Sequence, residues 1–347
     1  MLHYKLFENR LHLRKRIVSI GIIIFIISLF NIPINAQNNY FPNVSVKKPF
    51  VQASSSSILS LEIVGNTELD LYCSGNETDG LSPETAHIIE DLDINGEYKD
   101  SASRFRLISI TRYLIIKNAR ITGAKSTSLV SGAGIFLDEC QNIQFDNCSV
   151  FDNGIFGMRI IDSQNITVGN CYLDNNTIAG ALIENSSEIN ITNSTSQRSS
   201  SAGFSIQDSS SLIEIKNCSI KENEQNGISI LSSILINISE CDISLNGLDG
   251  IYIKESEDIS ILGNSVEFNE YYGINVGTSS GIVIENNLLI QNKKGCFNFP
   301  NGETGITLTN NECKEVSKIP GYNYLILFIW VSIMYLIFFI TRKKYIS

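Results

Sequence analysis

The chain has 347 residues, a formal net charge of −10 at pH 7 and 43% hydrophobic residues. An acidic balance argues against nucleic acid as a partner, because binding to phosphates requires clusters of Lys and Arg. The hydrophobic content is sufficient for one core and for two further segments of the membrane type.

The N-terminal segment has the layout of an export signal. Residues 17–30 are almost wholly apolar, and Ala36 places a small residue before Gln37. This pattern predicts a secretory signal peptide over residues 1–36, cleaved after Ala36. The basic region is long and the apolar run can be extended to Ile34, so an uncleaved signal anchor is the alternative. The basic side chains that precede the apolar run are Lys5, Arg10, Arg14, Lys15 and Arg16.

The next segment is predicted to lead into a folded domain. Residues 37–57 end in four consecutive serines and are interpreted as a loose lead-in. Residues 58–64 and 69–72 are expected to form a pair of strands that caps the first turn of a solenoid, because an open sheet edge must be covered. We therefore assign residues 58–313 to one domain together with its cap.

The middle of the chain repeats with a period of 23 residues, with one step of 24. A fixed period of this kind predicts supersecondary units that bury their apolar sides only by stacking on one another. One column of the repeat is glycine: Gly134, Gly157, Gly180, Gly203, Gly227, Gly250 and Gly273. A second column runs in phase with it: Cys148, Cys171, Ser194, Cys218, Cys241, Asn264, Asn287 and Asn311.

Each repeat contains three short stretches in which apolar and polar residues alternate. In one repeat the first stretch covers residues 158–160, the second covers residues 166–168, and the third is centred on Leu173. Alternation over a few residues, interrupted by Asn, Asp, Ser and Gly, indicates β-strands joined by tight turns. Three strands per coil predict an all-β fold, a right-handed parallel β-helix in which each strand pairs with its equivalent in the next repeat.

At this level of detail the chain resembles proteins with parallel β-helix repeats, including the NosD-like branch and the pectate-lyase-like superfamily. Residues 75–95 look like the opening coil of such domains, and residues 113–118 look like the next coil. Together with the repeats, the resemblance covers residues 75 to about 313. It implies the fold rather than the function, since such coils serve lyases, hydrolases, adhesins and scaffolds. The copper-related accessory role of the NosD-like branch is disfavoured, because His87 is the only histidine outside the signal region.

Charged residues gather after the first strand of three successive repeats. The candidate site consists of Asp138, Glu139, Arg159, Asp162 and Glu184. At a spacing of one coil these groups would lie about 5 Å apart, close enough to act as an acid/base pair or to bind a cation such as Ca²⁺. The alternative is a solvated acidic turn, which the shortness of the loops favours. The outward-facing Phe136 and Tyr252 are too far apart to form a platform for sugar rings.

The eight cysteines allow two interpretations. Cys148 with Cys171, and Cys218 with Cys241, lie one coil apart, but parallel side chains in register do not converge, so buried free thiols are the alternative to disulfides. Cys296 replaces an inward aliphatic residue near the end of the repeats, as does Cys313, and this pair is expected to form a disulfide across the core.

Ten Asn-x-Ser/Thr sequons occur in the chain. If the chain is exported they can carry N-linked glycans. The alternative is that a sequence rich in Asn and Ser produces sequons by composition alone. Asn190 and Asn237 project outward from strands and are the predicted acceptors.

The C-terminal segment is predicted to cross a membrane. Residues 322–340 contain no charged side chain, which predicts a transmembrane helix over residues 322–341. Residues 314–321 are then a short stalk, and the basic residues 342–347 are expected on the cytoplasmic side. The chain is thus predicted to be a cell-membrane protein with an extracellular β-helix, without a resident cofactor.

The functional interpretation is a non-catalytic surface scaffold or binding module, with a glycan or a neighbouring envelope protein as partner. A polysaccharide lyase or glycoside hydrolase that uses the acidic patch is the first alternative. A NosD-like accessory factor is the second.

Overall fold

The computed structural model describes residues 58–75, 77–97, 103–125, 132–300 and 305–315. The predicted export signal, lead-in, transmembrane helix and basic tail lie outside these ranges, as does most of the predicted stalk. Within the described ranges no helix is long and apolar enough to cross a membrane.

The described chain forms three parallel sheets of ten strands each, and successive coils contribute one strand to every sheet. Sheet 1 contains β1 (Leu61–Val64), β4 (Phe105–Ile108), β7 (Ile135–Asp138), β10 (Phe156–Ile161), β13 (Ala179–Glu184), β16 (Phe204–Gln207), β19 (Ile228–Leu231), β22 (Ile251–Lys254), β25 (Tyr272–Gly277) and β28 (Gly295–Asn298). Sheet 2 contains β2 (His87–Glu90), β5 (Leu114–Lys117), β8 (Gln141–Asp146), β11 (Gln164–Gly169), β14 (Ser187–Thr192), β17 (Ser211–Lys216), β20 (Ile234–Ser239), β23 (Glu257–Leu262), β26 (Ile282–Glu285) and β29 (Ile306–Thr309). Sheet 3 contains β3 (Asp93–Asn95), β6 (Arg120–Thr122), β9 (Ser149–Phe151), β12 (Tyr172–Asp174), β15 (Thr195–Gln197), β18 (Ser219–Lys221), β21 (Asp242–Ser244), β24 (Ser265–Glu267), β27 (Leu288–Ile290) and β30 (Glu312–Lys314).

The register of these sheets follows the sequence period. On sheet 2, Ile166 of β11 pairs with Ile189 of β14, which pairs with Ile213 of β17. Because side chains alternate between the two faces of a strand, this register places the isoleucines of every coil on the inner face. They form one continuous buried core along the solenoid. The prediction of a parallel β-helix with three strands per coil is confirmed.

The corners between sheets are built by left-handed residues followed by buried ladder residues. Asn170 has a φ of 53° and immediately precedes the buried Cys171, and Leu245 (φ 58°) likewise precedes the buried Asn246. The ladder side chains bond from coil to coil: Asn246 Nδ2 donates to Asn269 Oδ1 over 2.9 Å. Stacked amides of this kind satisfy the backbone polar groups that a sharp corner withdraws from water.

The glycine column serves close packing between coils rather than left-handed turning. A Cβ on Gly250 would lie 2.7 Å from the carbonyl oxygen of Gly273 and 2.9 Å from Asn269 Nδ2. Both distances are shorter than carbon atoms tolerate, so any side chain at this column would push adjacent coils apart.

The N-terminal cap contains a helix where a second strand was expected, and that prediction was wrong. Residues 61–64 do form β1, but the chain then enters α1 (Gly65–Tyr72). The Glu68 carboxylate accepts a hydrogen bond of 2.8 Å from the Val64 N–H at the start of this helix. Leu69 is fully buried while Leu71 is exposed, so α1 presents one residue per turn to the first coil instead of alternating as a strand does. A 3₁₀-helix (Pro83–Thr85) follows.

The cysteines divide into one disulfide and a set of buried thiols. A disulfide joins Cys296 and Cys313, whose Cα atoms lie 6.0 Å apart. The remaining six cysteines are free and buried. Cys171 Sγ donates to the carbonyl oxygen of Gly169 over 3.1 Å, and Cys241 does the same to Ser239 over 3.2 Å. Four of these thiols, Cys148, Cys171, Cys218 and Cys241, occupy the ladder column as small hydrogen-bonding residues.

Candidate functional site

The outer face of sheet 1 separates the carboxylates that the sequence placed together. Asp138 and Glu184 both point outward, but Ile161 pairs with each of them and lies between them. Two strand steps correspond to about 10 Å, the separation of groups two coils apart. The coil between them contributes Ile161 to this column, whereas Asp162, the predicted carboxylate of that coil, lies one position further along the chain.

Most of the predicted charged groups already have hydrogen-bond partners. Arg159 Nε donates to Glu184 Oε2 over 2.8 Å, and Gln207 Nε2 donates to the other oxygen, Oε1, over 3.0 Å. The carboxylate of Asp162 accepts a hydrogen bond from the side-chain amide of Asn185. Glu184 is thus held between two donors.

Asp138 differs from the other members of the patch. Burial raises the pKa of its carboxyl above the ordinary value, and the negative charges of Glu139 and Asp162 raise it further. Glu139 itself accepts a hydrogen bond of 2.9 Å from Ser109 Oγ. Over the described ranges no hydrogen bond to the Asp138 carboxylate is found. Asp138 therefore has the environment of a carboxyl group that holds its proton more tightly than usual.

Phe136 belongs to a second apolar cluster on the outside of the solenoid. Phe136, Phe156 and Leu182 are only 5–6% exposed, although they point away from the core. The Arg159 guanidinium lies 5.9 Å from the ring centres of both phenylalanines, and Arg106 covers Phe136 at 5.6 Å. The expectation of an isolated exposed aromatic residue was wrong here, because the sequence reading omitted the neighbouring Phe156.

A groove of about 430 Å³ opens beside this cluster, and we call it the sheet 1 groove. Its lining combines apolar groups from the cluster with the Arg159–Glu184–Gln207 row. The groove forms because the outward column of β13, β16 and β19 changes from the large Leu182 to the small Ser205 and Ser229. The fall in side-chain size along this column was the sequence signal for the groove, and the sequence reading missed it. The lining residues are Phe156, Arg159, Ile178, Ala179, Leu182, Glu184, Ser201, Ala202, Ser205, Gln207, Gln225, Asn226, Ser229 and Leu231.

A buried carboxyl lies one coil beyond the groove. Asp249 accepts hydrogen bonds from the Tyr272 backbone N–H at 2.9 Å and from Asn275 Nδ2 at 2.8 Å. Its own N–H donates to Asn226 Oδ1, a group that lines the groove. Burial raises the pKa of Asp249 despite these bonds. The polar surface of sheet 1 therefore continues past the groove.

His87, the one histidine outside the signal region, braces the cap. The ring is 1% exposed, and Nε2 lies 2.9 Å from Asp70 Oδ1 while Nδ1 lies 2.9 Å from Thr78 Oγ1. Arg112 also donates to Asp70, and this contact lowers the pKa of the Asp70 carboxyl. The network ties α1 to β2.

Two further predictions concern ions and glycans. In the ranges that the structure covers, no group of three or more His, Cys, Asp or Glu side chains is arranged to hold a metal ion. Asn190 and Asn237 lie on outward positions of sheet 2, where each is half-buried. The side-chain oxygen of Asn237 is buried without a hydrogen-bond partner among the described residues.

Comparison with known proteins agrees with this architecture. The chain matches the family described as right handed beta helix region over residues 50–211 and 179–320, and it belongs to that family. No curated protein matches it in sequence.

Solved structures similar to the chain share its fold at low sequence identity. The Azotobacter vinelandii mannuronan C-5 epimerase AlgE4 A-module has a TM-score of 0.53 and 15% identity, with 67% of this chain and 75% of that one covered. The enzymatically active domain of tailspike protein 2 from bacteriophage CBA120 has a TM-score of 0.52 and 13% identity, with 64% of this chain and 38% of that one covered. The Dettilon tailspike protein has a TM-score of 0.50 and 17% identity, with 64% and 49% covered.

Proposed function

We propose that the β-helix is a carbohydrate-binding module and that its ligand lies in the sheet 1 groove. The observation that carries this proposal is the mixed lining of the groove, in which Phe156 and Leu182 stand beside the Arg159–Glu184–Gln207 row. A sugar presents apolar C–H faces together with hydroxyl groups, so it requires both kinds of contact. The fold is also that of a mannuronan epimerase and of tailspike proteins, which is consistent with a glycan as ligand.

Binding without catalysis is the form that we favour. Both oxygens of Glu184 accept hydrogen bonds, and Asp162 is bonded to Asn185. Catalysis requires in addition a base or nucleophile that is directed at the substrate, whereas these two carboxylates are bonded to neighbouring side chains. The row is instead suited to offer preoriented donors and acceptors to hydroxyl groups.

One observation favours a carbohydrate-active enzyme as the second candidate. Asp138 has a raised pKa and stands two strand steps from Glu184. A carboxyl that remains protonated can act as a general acid, and about 10 Å is near the upper end of the separations found in inverting glycosidases. In this reading Asp138 protonates the leaving group and Glu184 exchanges its present partners for a water molecule.

The test measures retention and shortening of polysaccharide chains together. The purified protein is incubated with a panel of neutral and acidic polysaccharides, and we expect retention without shortening. Ser205→Trp should abolish retention by filling the groove. Ser260→Trp is the matched control, because Ser260 is an outward, half-buried serine on sheet 2 and away from the groove. No retention on any polysaccharide, or equal effects of the two substitutions, would overturn the proposal.

The same experiment separates the enzyme from the binding module. Shortening that Asp138→Asn abolishes, with the fold unchanged, would replace binding by catalysis as the function. Asp138 lies outside the groove lining, so Asp138→Asn should leave retention by a binding module intact.

We also propose that the β-helix is exported and held at the cell membrane by residues 322–341. The uncharged stretch 322–340 supports a membrane helix, and the disulfide between Cys296 and Cys313 is of the kind that oxidising compartments maintain. Protease added to intact cells should then digest the β-helix and leave the basic tail protected.

A neighbouring envelope protein is the alternative partner. If no polysaccharide is retained, crosslinking on intact cells should recover this protein.

A further inference from the structure

One wall of the sheet 1 groove belongs to a column that continues along the solenoid. Ile178, Ser201 and Gln225 line the groove, and successive backbone hydrogen bonds of 2.8–2.9 Å connect them. The same series continues from Gln225 to Leu248 at 2.9 Å and from Leu248 to Tyr271 at 3.0 Å. The position of Tyr271 is therefore the groove wall extended by two coils, about 10 Å at the usual strand spacing.

The corner at this extension exposes large apolar side chains, and we call it the corner patch: Leu245, Leu248, Phe268 and Tyr271. Leu245 is 54% exposed, Phe268 45% and Tyr271 43%, while Leu248 is half-buried. Leu245 and Phe268 also have left-handed backbones, with φ of 58° and 55°. In the other coils this corner position is polar: Asp152, Asn175, Arg198, Glu222 and Gln291. Of these residue types, Asp and Asn adopt left-handed backbone at lower cost.

Exposure and backbone strain both disfavour Leu and Phe at this corner position. A bulky side chain at positive φ is a genuine outlier, and large exposed apolar groups in a cluster mark contact surfaces. Stability alone would favour Asn or Gly at both positions. Leu212 and Leu235, at the starts of β17 and β20, show the same exposure and positive φ, so these two features alone do not mark a site. Leu245 and Phe268 differ from them in lying beside the extended wall of the sheet 1 groove.

We propose that the corner patch is a second carbohydrate subsite, in which Phe268 and Tyr271 stack on pyranose rings of the chain that occupies the sheet 1 groove. This inference rests on the proposed function and assigns the direction of the ligand: it runs along the solenoid axis. From Ile178 to Tyr271 the wall crosses four coil steps, about 19 Å. The preferred ligand is then a polymer or a long oligosaccharide rather than a mono- or disaccharide.

The surroundings of the corner patch fit a sugar better than an apolar protein segment. Lys294 Nζ lies 5.5 Å from the centre of the Tyr271 ring, and Glu270 beside it bonds to Lys293. Beside the patch, the half-buried Asn275 of β25 donates its side-chain amide to the buried Asp249 carboxylate. Rings flanked by charged and amide groups match the alternation of C–H faces and hydroxyls on a glycan.

The test compares oligosaccharides of increasing length, taken from neutral glucans and mannans and from polymannuronate, on the full-length protein. Phe268→Asn and Tyr271→Gln introduce residue types that the same columns contain at Asn175 and Gln225, so the fold is preserved. We expect each to bind long chains about tenfold more weakly than the parent, with short chains unaffected. The control is Leu235→Asn, because Leu235 is also 45% exposed with φ 57° but lies at the start of β20 on sheet 2, away from the column of Tyr271.

The outcomes separate the two proposals. If Ser205→Trp abolishes binding at every length but Phe268→Asn and Tyr271→Gln bind all lengths as the parent does, the second subsite is refuted and the groove stands. A tenfold loss with Leu235→Asn as well would also refute it, since any exposed apolar corner would then suffice. If the parent binds no oligosaccharide of any length, both proposals fail.

Discussion

Asn246 lies in the corner between sheets 3 and 1, and its replacement by Ala measures what the stacked amides contribute to stability. Its Oδ1 accepts hydrogen bonds from the backbone N–H of Asn223 at 3.1 Å and from the Asn223 side chain at 3.0 Å. Its Nδ2 donates to the carbonyl oxygen of Ile220 at 3.2 Å and to Asn269 Oδ1 at 2.9 Å. The residue is fully buried, so water cannot replace these partners without entering the corner.

The expected loss follows from these four bonds. A hydrogen bond between uncharged groups contributes about 1 kcal/mol net, so Asn246→Ala should lower the free energy of unfolding by about 4 kcal/mol. Because each coil contacts only its neighbours, the effect should be greatest in the coils that contain Asn223 and Asn269. Urea unfolding followed by circular dichroism gives the total, and hydrogen exchange at the Asn223 amide gives the local change.

The matched control is an outward asparagine without such a ladder. Asn190→Ala, on the outside of sheet 2, should change the free energy of unfolding by no more than about 0.5 kcal/mol. If Asn246→Ala costs less than about 1 kcal/mol more than this control, the ladder does not hold the coils together and the reasoning is refuted.

Three further substitutions test other features. Ser199 interrupts the ladder between Asn176 and Asn223, and its Oγ is buried without a hydrogen-bond partner among the described residues. Ser199→Asn should raise the free energy of unfolding in urea by about 1 kcal/mol. A lower free energy of unfolding would mean that the corner lacks space for the larger side chain. Cys313→Ser removes the disulfide to Cys296, which joins residues 17 positions apart. The free energy of unfolding of the last coil should fall by about 3 kcal/mol, so protease should cleave it faster. Unchanged cleavage would contradict this. Burial raises the pKa of Asp138, so the native state holds this proton more tightly than the unfolded chain and stability falls as pH rises through the native pKa. Asp138→Asn should therefore be more stable than the parent near neutral pH and equal to it below about pH 4, as measured by urea unfolding across pH, and a variant less stable at neutral pH would refute the sign.

The solenoid could be predicted from the sequence because each of its determinants is local and repeated. A period of 23 residues fixes which strands pair, and the alternation at Ile213 and Ile215 fixes which face is buried. Both signals are averaged over many coils, so an error in one repeat does not change the result.

The candidate site could be predicted only in part, because it depends on relations between columns. Reading the charged residues as one cluster required Asp162 to lie between Asp138 and Glu184 in one column, whereas the register places Ile161 at that position. The groove depends on the small size of Ser205 and Ser229 relative to Leu182, a difference visible only when the outward column is aligned coil by coil.

The N-terminal cap could not be read from the repeat at all. Residues 65–72 lie before the periodic region, and there only local propensity is available. Val64, Leu69, Leu71 and Tyr72 suggest a strand by composition, but only Leu69 meets the first coil. Tertiary contact with that coil, rather than propensity, decided in favour of a helix.

The close approach of successive glycines also bears on how such a chain can change its length. A Cβ at Gly157 would lie 2.5 Å from the carbonyl oxygen of Gly180, and one at Gly227 would lie 2.6 Å from that of Gly250. Every coil thus offers its neighbour the same surface, so duplication or deletion of a complete unit in the gene joins surfaces that already match. A partial unit breaks this match and must leave the stack as a loop. Lengthening by whole coils extends the groove wall in steps of about 5 Å, so under the proposed function the length of glycan that is bound would change by gene duplication alone.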